Sequence, residues 1–341
     1  MAMACLSMFH HAHQICLFAV FQCTLGTVSG QNPTPSAPGR LIDLGGYRLH
    51  LACTGRGSPI AVLSAGAGDF SFDWALVQPE VAKFTRVCSY DRGGEAWSDF
   101  GPKPRTIYQE VFDLERLLGA GGERGPYVLV GQSLGGMVAR VFAMQHPEQT
   151  AGLVLVDAFS EDARISVSGK LVRIRETAKG RAIPSPRASV TPADSLAGDE
   201  VRSIRQFMDQ FVGQPRIEPP FDKLPAAAER ERLWALSKPA HYAEGDDYLA
   251  EITAQIHSET SGVSHPLGDL PLVVLERTRD EYPPDVAAEL SREHREQQQW
   301  LAALSSRGEL ISVANSGHHI QLDQPAAVVD AIRTVINRSR R

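Results

Sequence analysis

The stretch YVLVGQSLGG at residues 127–136 decides how this 341-residue chain folds. Four apolar residues typical of a strand are followed by a Gly-x-Ser-x-Gly turn and then by a helical stretch over Leu134–Gln145. Such a turn strains the backbone of its serine, so the residues two positions to either side must be very small, as Gly131 and Gly135 are. We predict that Ser133 is a nucleophile at the carboxyl end of a strand, where a helix N-terminus favours negative charge. The alternative is an ordinary loop in which the serine caps the helix.

The composition bounds the class of protein. The chain has 34 Lys+Arg and 40 Asp+Glu, a net charge of −6, and is 43% hydrophobic. This apolar content excludes a short disulfide scaffold, a collagen-like repeat and a charge-rich disordered chain. The mild negative charge would not attract nucleic acid, so no nucleic-acid partner is expected. After residue 30 no apolar run is long enough to predict an integral membrane span.

The first forty residues differ from the rest. We interpret residues 1–30 as a possible signal peptide, with the apolar stretch ICLFAVF at 15–21 and small residues up to Gly30, and residues 31–40 as a linker. This predicts a secreted or extracytoplasmic protein. Histidines occupy the front end, where Lys or Arg is expected. A disordered extension, a misassigned start and a cytoplasmic location are therefore the alternatives.

The cysteines bear on whether the chain holds a zinc site or a disulfide. Three of the five cysteines fall within the predicted leader: Cys5, Cys16 and Cys23. Cys53 and Cys88 lack CxxC spacing and a histidine cluster, so no structural zinc is predicted. They belong to two predicted strands, and they form a disulfide if those strands are neighbours or stay as free buried thiols if not.

From residue 41 onward, short β-rich segments alternate with helical ones. Strands are predicted at 41–43, 47–52, 60–63, 86–90, 127–130, 153–156, 271–276 and 310–313. The alternation predicts an α/β fold with a mostly parallel central sheet and helices on both faces. Residues 41–157 and 269–341 form this core, and the helical insertion 158–268 is predicted to be a cap or lid.

Apart from the insertion, residues 41–341 resemble the cap-bearing α/β-hydrolases. The similarity lies in the Gly131–Gly136 turn, Tyr90-Asp91-Arg92-Gly93-Gly94 with Trp97-Ser98, AGLVLVD at 151–157, Ser316-Gly317-His318, and QLDQP at 321–325. It implies the α/β-hydrolase fold and an Arg92 that anchors loops beneath the site. Two departures alter pocket polarity. Gln132 stands where many members have His, and Ala65-Gly66 where many have His-Gly.

The resemblance implies a catalytic triad in the chain order serine, acid, histidine. His318, in the loop after the last strand, is the predicted base, and the adjacent His319 is its rival. Asp280 is the first choice for the acid because it lies a few residues past the strand that Pro271 opens. Asp157, at the end of the preceding strand, is the alternative acid. Glu276-Arg277 replaces the family's usual small-residue turn, so Glu276 or Glu281 could also be the acid.

Two backbone N–H groups are expected to form the oxyanion hole. One belongs to Leu134, and the other to Ala67, which follows Gly66 in a glycine-rich loop. That loop has neither a lysine nor a GxGxxG register, so it does not predict a nucleotide site. No cofactor and no metal site are predicted.

A serine at position 133 excludes the related dehalogenases and epoxide hydrolases, which need a carboxylate there. The resemblance implies a carboxylesterase-like hydrolase of a small to medium, hydrophobic ester, in which Ser133 forms an acyl-enzyme and His318 activates water. The alternatives are an amide hydrolase similar to proline iminopeptidases and a non-catalytic ligand-binding protein. Apolar side chains of the insertion line the predicted pocket or else hold the insertion together: Phe207, Met208, Phe211, Trp234 and Tyr248.

Overall fold

A computed structural model of the protein describes residues 34–167, 170–243 and 247–340. The predicted leader and its three cysteines lie outside these residues. The strands are β1 (Arg40–Asp43), β2 (Arg48–Thr54), β3 (Ile60–Ser64), β4 (Val87–Tyr90), β5 (Tyr127–Gln132), β6 (Thr150–Val156), β7 (Arg164–Val167), β8 (Lys170–Arg173), β9 (Leu272–Arg277) and β10 (Gly308–Val313). The eight-stranded sheet has the order β1-β2-β4-β3-β5-β6-β9-β10. Its β1–β2 and β2–β4 pairs are antiparallel and the others are parallel, which confirms the predicted α/β fold.

Helices connect the strands and cover the sheet. They are α1 (Gln78–Val81), α2 (Ile107–Ala120), α3 (Leu134–Gln145), α4 (Gly198–Phe207), α5 (Ala226–Leu236), α6 (Leu249–Thr260), α7 (Ala287–Ala303), α8 (Ile320–Asp323) and α9 (Pro325–Ser339). The segment between β6 and β9 holds α4 to α6 and the β7–β8 hairpin. In the part of the chain that the structure describes, no helix has the length and hydropathy needed to cross a membrane.

Alternate residues of the parallel strands pack on opposite faces of the sheet. On β5, Tyr127 and Leu129 join the cluster that includes side chains of α2, α3 and α7, while Val128 and Val130 join the cluster with α1 and α9. Both faces are therefore buried, which is why these strands read as continuous apolar runs in the sequence. This layering fixes the carboxyl ends of β5, β6 and β9 along one edge of the sheet.

Three local features differ from the sequence predictions. Apolar spacing predicts one helix from Trp74 to Phe84, but the chain forms a 3₁₀ turn at Ser71–Trp74 and then the short α1. Pro79 explains the break because it has no N–H for a helix that began earlier. The β7–β8 hairpin is not among the predicted strands, although Arg164–Val167 alternates polar and apolar residues. The described end of the predicted linker contacts the core, since the Trp97 indole N–H donates to the Pro35 carbonyl at 2.9 Å.

Cys53 and Cys88 are bridged. They face each other in the antiparallel β2–β4 register, with their Cα atoms 4.0 Å apart, and their sulfurs form a disulfide. Of the alternatives left open by the sequence, the structure therefore contains the disulfide. Glu123 lies close to both sulfurs, and this is a group with metal-ligand spacing among the described residues. With both sulfurs in the disulfide, it offers no free thiolate to a metal ion.

Candidate active site

The turn between β5 and α3 carries Ser133. Its backbone has φ 50° and ψ −122°, a strained conformation for a residue other than glycine. A Cβ atom at Gly131 would lie 2.2 Å from the Gly135 carbonyl oxygen, and one at Gly135 would lie 2.3 Å from the Ser64 carbonyl oxygen. Both glycines are therefore required by close backbone approach, as the sequence predicts.

The glycine-rich loop after β3 lies against this turn. A Cβ atom at Gly66 would be only 3.1 Å from the Cβ of Ser133, so the loop and the serine are in contact. The Arg92 guanidinium donates to the Gly66 carbonyl at 2.6 Å and to the Ala65 carbonyl at 3.2 Å, which is the loop-anchoring role that the resemblance implies. The Leu134 N–H opens α3 and has no partner within the helix. Leu134, which follows Ser133, and Ala67, which follows Gly66 in the contacting loop, stay the candidates for oxyanion donors.

Asp157 is the carboxylate that meets His318. It follows β6 directly, and its buried Oδ2 lies 2.6 Å from Nδ1 of His318 in the loop after β10. The Gln132 amide, next to Ser133 in the chain, donates to the His318 carbonyl at 3.2 Å and ties the histidine loop to the serine turn. In the described residues the Ser133 hydroxyl and the His318 ring form no hydrogen bond within 3.5 Å. Such catalytic contacts often tighten only when substrate binds.

The structure does not bring Asp280, the first choice of acid, to His318, and it is the alternative, Asp157, that contacts the ring. The exposed Asp280 carboxylate accepts the Tyr282 N–H at 3.0 Å and the Ser291 hydroxyl at 2.9 Å. Both of its oxygens therefore serve the turn before α7 and the start of that helix.

The glutamates on either side of Asp280 also have other partners. Glu276 is buried against the Ser312 hydroxyl. Glu281 accepts the backbone N–H of His318 at 3.2 Å and does not contact its ring. Neither glutamate therefore takes the place of the predicted acid.

An arginine and a second histidine also contact Asp157. Arg277 donates to Oδ2 through its guanidinium at 2.5 Å, and His294 of α7 has its Nε2 2.8 Å from Oδ1. Burial alone would raise the pKa of Asp157, but these neighbours, together with His318, hold it well below its usual range. Asp157 is therefore ionised at neutral pH while its carboxylate contacts the His318 ring.

His318 itself is shifted toward its neutral form. Burial lowers the pKa of His318, and His319 and Arg277 lower it further, while Asp157 opposes them. The pKa of His318 lies below its usual value, so its free ring nitrogen is available as a base in mildly acidic solution. Sequence reasoning missed His294, which lies in a helix of polar residues with no distinguishing pattern. Arg277 could have been singled out from the sequence, because it occupies a turn where the family usually has small residues.

The insertion reaches the site through Arg232 of α5. Its guanidinium lies 3.3 Å from Oδ1 of Asp69 and 2.5 Å from Oδ2 of Asp73, both on the loop after β3. His319 has its Nε2 3.1 Å from Oδ2 of Asp69. Burial alone would lower the pKa of His319, but the Asp69 carboxylate raises it above its usual value. The ring of His319 is therefore held as an ion-pair partner, which separates it from its rival His318.

The apolar residues of the insertion divide between two environments. Trp234 is buried against Trp97, with ring centroids 5.4 Å apart, and holds the insertion on the core. Tyr248 lies beneath the Arg181 guanidinium, 4.1 Å from it. Phe207 stacks on Phe211, which is 61% exposed. Trp234 and Tyr248 thus serve the packing of the insertion.

Comparisons with known proteins identify the family and support the fold. A model of the alpha/beta hydrolase family matches residues 61–331. An AB hydrolase superfamily protein of Gibberella zeae is 23% identical over 298 residues, which cover 83% of this chain and 87% of that protein. A thermophilic esterase from Thermogutta terrifontis superposes with a TM-score of 0.58 at 22% identity, covering 86% of this chain and 95% of that one, and shows the fold.

A probable transporter of Hormonema carpetanum is 33% identical over 129 residues, which are 36% of this chain. The chain spans only 18% of that protein's length. The similarity is therefore to one part of a longer protein and describes that part alone. The match of the family model over most of the chain, together with the strained serine turn and the sheet order, establishes that this chain belongs to the alpha/beta hydrolase family.

Proposed function

We propose that the protein is a serine hydrolase that cleaves carboxylic esters through an acyl-enzyme, with Ser133 as nucleophile, His318 as base and Asp157 as acid. The observation that carries the proposal is the 2.6 Å contact between Asp157 and the His318 ring, beside a serine held at φ 50°. A serine hydroxyl is a weak nucleophile until an oriented base takes its proton. The proposed site supplies both a serine nucleophile, Ser133, and an oriented base, His318.

The reaction runs in two halves. As Ser133 Oγ bonds to the ester carbonyl carbon, its proton passes to Nε2 of His318, and the N–H groups of Leu134 and Ala67 stabilise the oxyanion. The intermediate expels the alcohol, which takes the proton from His318. A water molecule then gives a proton to His318 and attacks the acyl-enzyme, and the carboxylic acid leaves as Ser133 regains its proton. An ester is favoured over an amide because an alkoxide leaves the tetrahedral intermediate more readily than an amide anion does.

A fluorophosphonate probe tests the proposal without knowledge of the natural substrate. We expect mass spectrometry to find its adduct on Ser133, and none in Ser133→Ala, because only an activated serine reacts. We also expect the wild type, but not the variant, to hydrolyse p-nitrophenyl esters. An apolar acyl pocket would hydrolyse p-nitrophenyl butyrate faster than the acetate.

The alternatives predict other results. Faster turnover of proline p-nitroanilide than of any ester would favour the amide hydrolase. Absence of both adduct and turnover in folded wild type would contradict the enzyme and favour a binding protein.

We also propose that the protein works in an extracytoplasmic compartment. The Cys53–Cys88 disulfide supports this, because such bonds persist mainly in oxidising compartments. The leader-like residues 1–30 agree with it.

A stability measurement tests the disulfide. We expect the double variant Cys53→Ala/Cys88→Ala to lose about 2–4 kcal/mol of unfolding free energy, because the bridge restricts the unfolded chain. Urea unfolding under non-reducing conditions measures this loss, and reduced wild type is the control that should match the variant. Peptide mapping of unreduced protein that finds both cysteines as free thiols would contradict the disulfide and the proposed location.

A further inference from the structure

Asp157 has more hydrogen-bonding partners than the orientation of one histidine requires. Its carboxylate contacts His318 and the Arg277 guanidinium at Oδ2, and His294 and the Arg277 backbone N–H at Oδ1. We propose that Arg277, with His294, is a positioning residue that fixes the Asp157 carboxylate and sets the pH below which His318 stops acting as a base. This inference rests on the proposed function and adds residues that the triad does not include.

The geometry of the carboxylate supports the positioning role. An ionised carboxylate offers about four acceptor sites, and the partners of Asp157 occupy four, at 2.5, 2.6, 2.8 and 3.1 Å. Two come from Arg277, at the end of β9, and the Asp157 N–H donates to the Leu275 carbonyl of the same strand at 2.8 Å. The end of β9 therefore holds the end of β6 through side chain and backbone together. Asp157 has no unoccupied direction into which its carboxylate could rotate.

The charge of Arg277 supports the second part of the proposal. A guanidinium stays protonated at all accessible pH values, and that of Arg277 is only 9% exposed. The Arg277 guanidinium and the His318 ring both contact Oδ2 of Asp157. The permanent positive charge of Arg277 therefore disfavours protonation of His318. In partly buried surroundings such an interaction is weakly screened. The lowered pKa of His318 agrees with this arrangement.

Other groups face His318 from the surrounding elements. They are Glu281, whose carboxylate accepts the His318 N–H; Tyr282, whose ring lies 5.0 Å from the Arg277 guanidinium; His319, with Asp69 and Arg232 behind it; and Asp323, which accepts the Gly317 N–H. Glu281 favours the protonated form of His318, and His319 opposes it. Arg277 differs from all of these because it is a permanent cation bonded to the same carboxylate oxygen as the base. Its removal is therefore the change expected to move the pH dependence.

The rate of fluorophosphonate labelling, measured against pH, tests the proposal. For Arg277→Gln we expect the acid limb of the pH–rate profile, where the labelling rate falls as pH decreases, to move to higher pH. Without the positive charge of Arg277, His318 is protonated more readily and stops acting as a base at a higher pH. The rate at about pH 5.5 relative to that at about pH 8 should fall roughly three- to tenfold compared with wild type. Arg277→Lys retains the charge, and we expect it to restore most of the wild-type limb. Arg277→Met, which keeps the apolar stem, repeats the measurement if the glutamine variant does not fold.

Arg295→Gln is the matched control. Arg295 is an exposed residue next to His294 on α7, so its removal takes away one positive charge without touching Asp157. We expect its acid limb to be that of the wild type. A uniform loss of rate at every pH in Arg277→Gln and Arg277→Met, with an unmoved limb, would overturn the proposal and leave the serine hydrolase intact. Wild type that does not label at Ser133 would overturn both.

Discussion

Asp157→Asn should lower kcat/KM for p-nitrophenyl ester hydrolysis about 10³- to 10⁴-fold. The amide cannot orient His318 as the carboxylate does, nor stabilise the imidazolium that forms when Ser133 loses its proton. The substitution also leaves the buried Arg277 without its anion, which we expect to cost about 3 kcal/mol or more of folding stability. Rates are therefore normalised to the folded fraction measured by near-ultraviolet circular dichroism.

Asp280→Asn is the control for this variant, since the two residues are the alternatives that the sequence leaves open. Asp280 is exposed and serves only the turn before α7, so we expect activity within about twofold of wild type. The reverse pattern, with Asp280→Asn inactive and Asp157→Asn active, would contradict the assignment of the acid.

His318→Gln should abolish labelling and lower ester hydrolysis about 10³-fold or more, with little change in the melting temperature. Glutamine can still donate a hydrogen bond to Asp157, but its amide cannot accept a proton from Ser133. The loss therefore falls on the chemical step, which kcat and the labelling rate both measure.

His319→Gln separates the two adjacent histidines. Its amide can donate to Asp69, and Arg232 still neutralises that carboxylate, so we expect activity within about tenfold of wild type and a small loss of stability. Loss of labelling in His319→Gln with retention in His318→Gln would show that His319 is the base.

Much of the site was predictable because its determinants are local. Gly131 and Gly135 are needed by the turn that contains them, and the alternation of apolar strands with helices defines a parallel sheet without knowledge of distant contacts. The same stretch also predicts the strand before Ser133 and the helix after it. The β7–β8 hairpin was not predicted because its two strands are only four residues long and lie within the insertion predicted to be helical.

The serine turn, the strand and helix on either side of it and the histidine after the last strand can be read from the chain, since each depends on neighbours within a few residues. Which carboxylate contacts that histidine follows from the packing of distant segments instead. Asp157 and Asp280 both follow parallel strands, but β6 is central and delivers its aspartate, fully buried, to the His318 ring. After β9, Asp280 instead lies exposed in the turn before α7, and the Arg277 guanidinium contacts Asp157. This choice depends on packing between β6, β9 and α7, which no local pattern encodes.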